Sequence, residues 1–347
     1  FPEADGLSIE FKLAGGTGDA DMYVQRGERP ASRDDYACIS GAVDSNESCR
    51  FEAALTGTYH LLIHAFSTFS GTTLTVTTGL AVLPYNIELV FINNGSAVQD
   101  NAVEAAAARW ESILPLDVSD VPFANFPVEA DSCIEGQGTI RSTIDDIRIY
   151  VDFTTIDGPG GILGQAGPCI IRRSNAFPIV GHMQFDIADL TDFSTPARLS
   201  ALMLHEMGHV LGIGTIWETA ELLRDLSVGA GNAGKDTHFV GPLAIEAFDA
   251  AGGIDYTGGE KVPVENSGSP GSADAHWRES VLVNELMTSG VNSGENPLSA
   301  ITIQSLADLG YRVDVGPADP YSRVFTAPAQ ATVRDPVLDL RDDIRKR

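Results

Sequence analysis

Residues 205–209 read His-Glu-Met-Gly-His, with a further glycine at 212. Two histidines four apart on a helix stand one above the other on the same face. Each offers an imidazole nitrogen to a metal at about 2.0–2.1 Å. Glu206 sits one step round the helix, close enough to hold a water at the metal without ligating the metal itself. These are the mechanical needs of zinc-assisted hydrolysis. Two imidazoles alone leave a zinc site incomplete, however. A familiar extension of the motif has a third histidine three residues after the glycine, and here that position is Thr215.

The five-residue pattern is short, and the competing reading is a helix with two ordinary histidines and a glutamate. The flanking residues weigh against it, because Ala201, Leu202, Met203, Leu204, Val210, Leu211 and Ile213 mark the helix as buried. A buried helix seldom carries two imidazoles and a carboxylate without a partner for them. Gly212 and Gly214 then permit the sharp turn that a ligand returning from downstream requires. The candidates for that ligand are several. His182 falls in an expected strand, His60 and His64 in a β-rich N-terminal stretch, and His238 in the polar segment GKDTHFVG. For each of these a strand-face or solvated histidine is the simpler reading. Glu246, in LAIEAFDAA, fits zinc peptidases that draw a glutamate from a later helix. His276 stands in SADAHWRESVLVNELMTSG.

The elements that must position these residues fall into two textures. Over residues 1–80 the short segments LSIEFKL, ADMYVQRG, TYHLLIHAF and TTLTVTT are separated by turn-forming stretches, which predicts a small all-β sandwich ending at a joint near 81–84. Beyond the joint, YNIELVFIN, DDIRIYVDF and HMQFDIADL read as strands and AVQDNAVEAAAARWESIL as a long helix. GHMQFDIADL is the expected edge strand for an extended substrate. The helix bearing His205 has Ser194 or Thr195 as N-cap and Pro196 at its first position. A glycine-rich, irregular region runs to about 290, and SAITIQSLADLG closes the fold as a helix from Ser299 to the stop at Gly310. The expected fold is therefore α+β over 84–320, with a mixed twisted sheet, an active-site helix and an irregular C-terminal subdomain. A β-sandwich precedes it over 1–80, and 321–347 form a solvated or disordered tail.

Charge and cysteines bound the function classes. With 22 Lys+Arg against 48 Asp+Glu, the net charge of −26 repels nucleic acid and anionic membranes and favours divalent cations. No apolar run approaches the roughly 18 residues of a membrane span. The chain begins FPEADG, without Met or a basic and apolar leader, so it is expected to be a processed or trimmed product. Cys38, Cys49, Cys133 and Cys169 form no C-x-x-C pair, which argues against thiolate ligation of zinc. Of three possible pairings the local one, Cys38–Cys49 and Cys133–Cys169, is the simplest. Two disulfides in such an acidic chain point to an extracellular setting.

HEMGHVLGIG, a long insertion, then AHWRES, NELMTSG and PLSAITIQSLADLGYRV resemble the leishmanolysin family of zinc metallopeptidases. These are metzincins in which an inserted segment separates the helix from the third histidine. In that family this histidine stands in a His-Trp pair, and the methionine of a tight turn beneath the metal follows eleven residues later. Here His276 precedes Trp277, and Met287 stands eleven residues on. The resemblance covers roughly 84–315. It implies a metzincin-like catalytic domain with His205, His209 and His276 as zinc ligands, Glu206 as general base and Met287 as the Met-turn residue.

On the residues alone His276 is favoured less sharply, and Met287 reads as an ordinary core methionine. Trp217 and Trp277 suit cleft walls and core packing equally. Asn284-Glu285 looks like the start of a glutamate-ligand motif, but its surroundings favour a loop. GDADMYVQRG through CRFEAALTGTYHLLIHAFSTFSGTTLTV resembles bacterial pre-peptidase C-terminal domains, small β-sandwiches attached to secreted peptidases. That resemblance implies an accessory role and a Cys38–Cys49 bridge. Asp19 and Asp21 there are candidates for a calcium ion, a solvated acidic turn being the alternative. The function so implied is a secreted zinc endopeptidase acting on protein or peptide substrates. One rival is a peptidase with Glu246 as third ligand, and another is an inert adhesion or matrix-binding protein that uses its N-terminal sandwich.

Overall fold

The computed structural model describes residues 7–27, 31–54, 57–80, 84–160, 162–190, 193, 195–227, 235–268, 271–292, 294–325 and 338–339. It divides into two units, Phe1–Leu83 and Pro84–Arg347. Ser194 and most of the 321–347 tail lie outside the described residues.

In the first unit six strands, β1 (Leu7–Ala14), β2 (Ala20–Arg26), β3 (Cys38–Ser40), β4 (Glu47–Ala54), β5 (Tyr59–Ala65) and β6 (Thr73–Leu80), build two three-stranded antiparallel sheets. Their orders are β4-β1-β6 and β3-β2-β5. Alternation along β1 and β2 turns Ile9, Phe11, Met22 and Val24 into a shared core, where Phe11 meets Phe51 and Tyr59. The Cys38–Cys49 disulfide links β3 to β4 and so cross-ties the two sheets. β3 is too short and β4 too charged for either to stand out as a strand in the sequence.

The second unit is a mixed α+β body. Its four-stranded sheet comprises β7 (Ile87–Asn93), β8 (Ile147–Thr154), β9 (Gly164–Ile171) and β10 (Pro178–Asp186), in the order β9-β10-β8-β7. β7, β8 and β10 run parallel, and β9 is antiparallel to β10. Parallel strands are buried on both faces, which explains the nearly unbroken burial along β8. Ile149, Val151 and Phe153 face the helices. Tyr150 faces a second cluster with Phe123, Ile134, Ile140, Ile144, Ile179 and Val180. Cys133–Cys169 ties the loop on that side to β9.

The expected edge strand is an inner one. The segment GHMQFDIADL forms most of β10, which lies inside the sheet, and the edge on its side is β9, with β7 at the opposite edge. The alternation of His182 and Gln184 with Met183 and Phe185 mimics a half-exposed strand, yet both sides of β10 are paired. The true edge, GQAGPCII, holds two glycines and a proline and carries a weak strand signal. Pro168, which has no N–H to donate, is a residue that sheets confine to edges.

Helix α1 (Ala97–Ile113) starts at Ser96, whose side chain and that of Gln99 form a reciprocal capping box. It buries a face of small residues, Ala102, Val103, Ala106 and Ala107, together with Trp110. Helix α2 (Pro196–Val210) packs beside it, and the Trp110 indole N–H donates to the Leu204 carbonyl at 3.0 Å. α2 also lies close against the sheet. A Cβ on Gly181 of β10 would fall 2.3 Å from Val210, so only glycine allows that approach. Thr195 precedes α2 without a side-chain cap, and Pro196 is its first residue. Two further helices, α3 (Pro242–Phe248) and α4 (Ala300–Leu309), pack on each other in the C-terminal part. Ser299 caps α4, and Gly310 ends it with φ 109°.

Candidate metal centre

α2 holds His205 and His209 on its inner face, and both side chains are fully buried. The helix ends at Val210, and Gly212 and Gly214, with φ of 112° and 76°, reverse the chain. This turn is where Thr215 stands. Its hydroxyl donates to the His209 carbonyl at 2.7 Å, so the residue at the familiar third-ligand position caps the helix end instead.

The turn admits His276. A Cβ on Gly214 would fall 1.9 Å from the carbonyl oxygen of Ala275, so the absence of a side chain lets the 275–277 segment reach the helix. Trp277 anchors that segment. Its backbone N–H donates to Met287 O at 2.9 Å, its indole N–H donates to Thr302 at 2.7 Å, and its rings pack on Trp217 and Phe239. Trp217 and Trp277 are both fully buried, so they are core residues rather than cleft walls.

The three imidazoles converge. The Nε2 atoms lie 3.0 Å apart for His205 and His209, 3.1 Å for His209 and His276, and 3.2 Å for His205 and His276. Behind each ring is a backbone carbonyl. Nδ1 of His205 meets Leu286 O at 2.7 Å, that of His209 meets Ile213 O at 2.8 Å, and that of His276 meets Ser272 O at 3.0 Å. A carbonyl only accepts, so each Nδ1 carries the proton and each Nε2 presents a lone pair to the other two. Three lone pairs held this close in a buried site repel one another unless a cation lies between them. Tetrahedral zinc with bonds of about 2.0–2.1 Å places its ligands about 3.3 Å apart, and the triangle observed fits it. Carbonyls in this position are the kind of outer partner that fixes the tautomer of metal-binding histidines.

Glu206 is fully buried on the adjoining face of α2, beside the start of the edge strand. A Cβ on Gly164, the first residue of β9, would lie 3.4 Å from Glu206 Oε1. Met287 lies beneath the histidine helix, where a Cβ on Gly208 would come within 3.0 Å of its sulfur. Glu285, which the sequence places in a loop, supports the turn at Met287. Fully buried, it accepts hydrogen bonds from Met287 N, Ser299 Oγ and Thr302 Oγ1 at 2.7, 2.7 and 2.6 Å. Burial pushes its carboxyl up, against the pull of these donors. It ties the Met287 turn to α4. A charged residue between Leu282 and Leu286 was the signal available for it.

The other ligand candidates lie elsewhere. Glu246 is exposed on α3 and is not brought to the histidines. His182 meets Cys169 at 3.4 Å, His238 the Asp236 carbonyl at 2.5 Å, and His60 the Gly27 carbonyl at 2.9 Å. His64 lies 3.5 Å from Asp21. Asp19 and Asp21 join no group of three ligating side chains among the described residues, and the calcium reading for that turn is set aside.

A model of the family described as leishmanolysin matches residues 132–322, more than half of the chain. The chain belongs to the leishmanolysin family. A model of the bacterial pre-peptidase C-terminal domain matches residues 2–65, ahead of the leishmanolysin region. Individual relatives share a shorter stretch with this leishmanolysin-family chain. A neutral protease of Vibrio proteolyticus is 35% identical over 74 residues, 21% of this chain and 12% of that protein. A zinc metalloprotease of Helicobacter pylori is 36% identical over 74 residues, 21% of this chain and 28% of that one. Alkaline serine exoprotease A of Vibrio alginolyticus is 33% identical over 66 residues, 19% of this chain and 12% of that one. These matches span between 12% and 28% of the relatives' lengths. One relative is named for zinc and another for serine. A stretch of this size is thus shared with peptidases of different names, and it is the leishmanolysin match and the histidine triangle that point to zinc.

Proposed function

We propose that this leishmanolysin-family chain is a secreted zinc endopeptidase of metzincin type that hydrolyses peptide bonds of proteins. The observation that carries the reading is the convergence of three Nε2 lone pairs within 3.2 Å, each backed by a carbonyl, beside the buried Glu206. His205, His209 and His276 would hold zinc. When bound there, zinc supplies a Lewis acid that polarises a carbonyl and makes a water acidic near neutral pH.

The chain's own groups do the rest. Glu206 takes the proton of the attacking water and returns it to the amine nitrogen as the peptide bond breaks. Its burial strengthens both transfers by keeping bulk water from the carboxylate. β9, an antiparallel edge whose first residue adjoins Glu206, has backbone groups available to pair with an extended substrate. Met287 and Glu285 hold the turn whose Leu286 carbonyl orients His205. The sandwich of residues 7–80 serves as an accessory module. Two disulfides and an acidic composition support an extracellular setting, and no described helix is long and apolar enough to cross a membrane.

Hydrolysis of an unfolded protein by the wild type and by Glu206→Ala, with zinc measured in both, tests the reading. The variant is expected to keep its zinc and lose about 10²–10⁴-fold in rate, the contribution of a positioned base. A zinc-loaded Glu206→Ala that cleaves at the wild-type rate would overturn it.

A further inference from the structure

A second set of acidic side chains lies where two loops meet at the end of the sheet. Asp157 belongs to the connection from β8 to β9, Asp186 is the last residue of β10, and Asp189 opens the connection to α2. Each offers a carboxylate oxygen, and the three oxygens lie within 4.8 Å of one another. The two ligand oxygens on opposite sides of a calcium ion stand about 4.6–5.2 Å apart, so one such ion accommodates all three.

The cluster is built into the backbone rather than scattered on the surface. Asp186 is fully buried, and its Oδ2 accepts the N–H groups of Ile156, Asp157 and Gly158, each at 2.9 Å. Its Oδ1 accepts that of Ala188 at 2.8 Å. Burial pushes this carboxyl up, but the four donors outweigh it and hold it below the usual carboxylate range, so it is ionised. Asp189, only 6% exposed, accepts Gly160 N–H at 2.6 Å through Oδ1. Its second oxygen, Oδ2, is buried and has no hydrogen-bond partner among the described residues. The exposed Asp157 accepts Ile162 N–H at 2.9 Å. No Lys, Arg or His among the described residues forms an ion pair with any of the three. A buried, unpartnered carboxylate oxygen beside two further carboxylates needs a counter-charge.

We propose that Asp157, Asp186 and Asp189 bind a calcium ion that clamps the entry to the edge strand against the entry to the histidine helix. An all-oxygen donor set selects a hard cation, and the remaining positions go to backbone carbonyls and water. This site is separate from the histidine triangle, so it stands whether or not the chain proves to be a peptidase.

Calorimetric titration of calcium into the full zinc-loaded chain, with magnesium as the control cation, tests it. The wild type is expected to bind one calcium with Kd on the order of 10⁻⁴–10⁻³ M or tighter, and to melt at a higher temperature with calcium present. Asp189→Asn and Asp157→Asn are each expected to weaken calcium binding about tenfold or more, with zinc content unchanged. Should Asp189→Asn not fold, Asp157→Asn decides, because its side chain is exposed and the amide oxygen still accepts the Ile162 N–H. No saturable calcium binding by the wild type, or a folded variant that binds calcium as tightly as the wild type, would overturn the proposal.

Discussion

What sets His205, His209 and His276 apart from the chain's other histidines is full burial with converging Nε2 atoms, and behind each ring stands a backbone carbonyl. It turns a titratable side chain into a fixed donor of one lone pair. Elsewhere at this scale a buried carboxyl, with Asp117 beside it, sets a pH dependence. Asp146 is fully buried and accepts N–H groups from Asn86 and Val118 at 2.6 and 2.5 Å. Burial pushes its carboxyl from 3.8 to about 7 despite those donors. The folded chain therefore keeps a proton that the unfolded chain releases near pH 4. This contribution to stability is complete below about pH 4 and falls as pH rises to about 7, at up to about 1.4 kcal/mol per pH unit for one proton. Asp146→Asn removes the titration. Urea unfolding of both proteins from pH 4 to pH 8 is expected to show the wild type losing ground to the variant through that window. A difference constant with pH would contradict it.

At the scale of elements, the centre depends on how closely three pieces of chain approach: α2, the turn at 212–215 and the 275–277 segment. Gly214 is the tightest point, with φ 76° and no room for a Cβ against the Ala275 carbonyl. Gly214→Ala introduces strain on the order of 1–3 kcal/mol and pushes His276 outward. Zinc affinity, measured by competition with a chelator, is expected to fall about tenfold or more while the helical circular-dichroism signal persists. Unchanged affinity would place the strain elsewhere.

The same elements account for what the sequence makes legible. Strong alternation and clear caps announce β1, β2, β5, α1 and α4, since those signals are local. The edge strand β9 is hidden because glycine and proline give little strand signal. The inner position of β10 depends on a partner supplied from elsewhere in the chain. Likewise the resemblance in AHWRES points to His276, but nothing local reveals that Thr215 caps α2 or that Glu285 holds the Met287 turn. Both roles consist of contacts made after the chain has folded back.

Across the whole molecule, 48 acidic residues against 22 basic ones make cations the natural partners. The structure gathers ligating groups into a histidine triangle suited to zinc and a carboxylate cluster suited to calcium, both in the second unit. The central claim is that the triangle is closed by His276 and not by the exposed Glu246. Zinc content and affinity of the full chain, measured side by side for the wild type, His276→Ala and Glu246→Ala, test it most directly. One zinc per chain in the wild type and in Glu246→Ala, with binding lost or greatly weakened in a folded His276→Ala, is the predicted result. Zinc held as tightly by His276→Ala as by the wild type, or lost from Glu246→Ala, would contradict it.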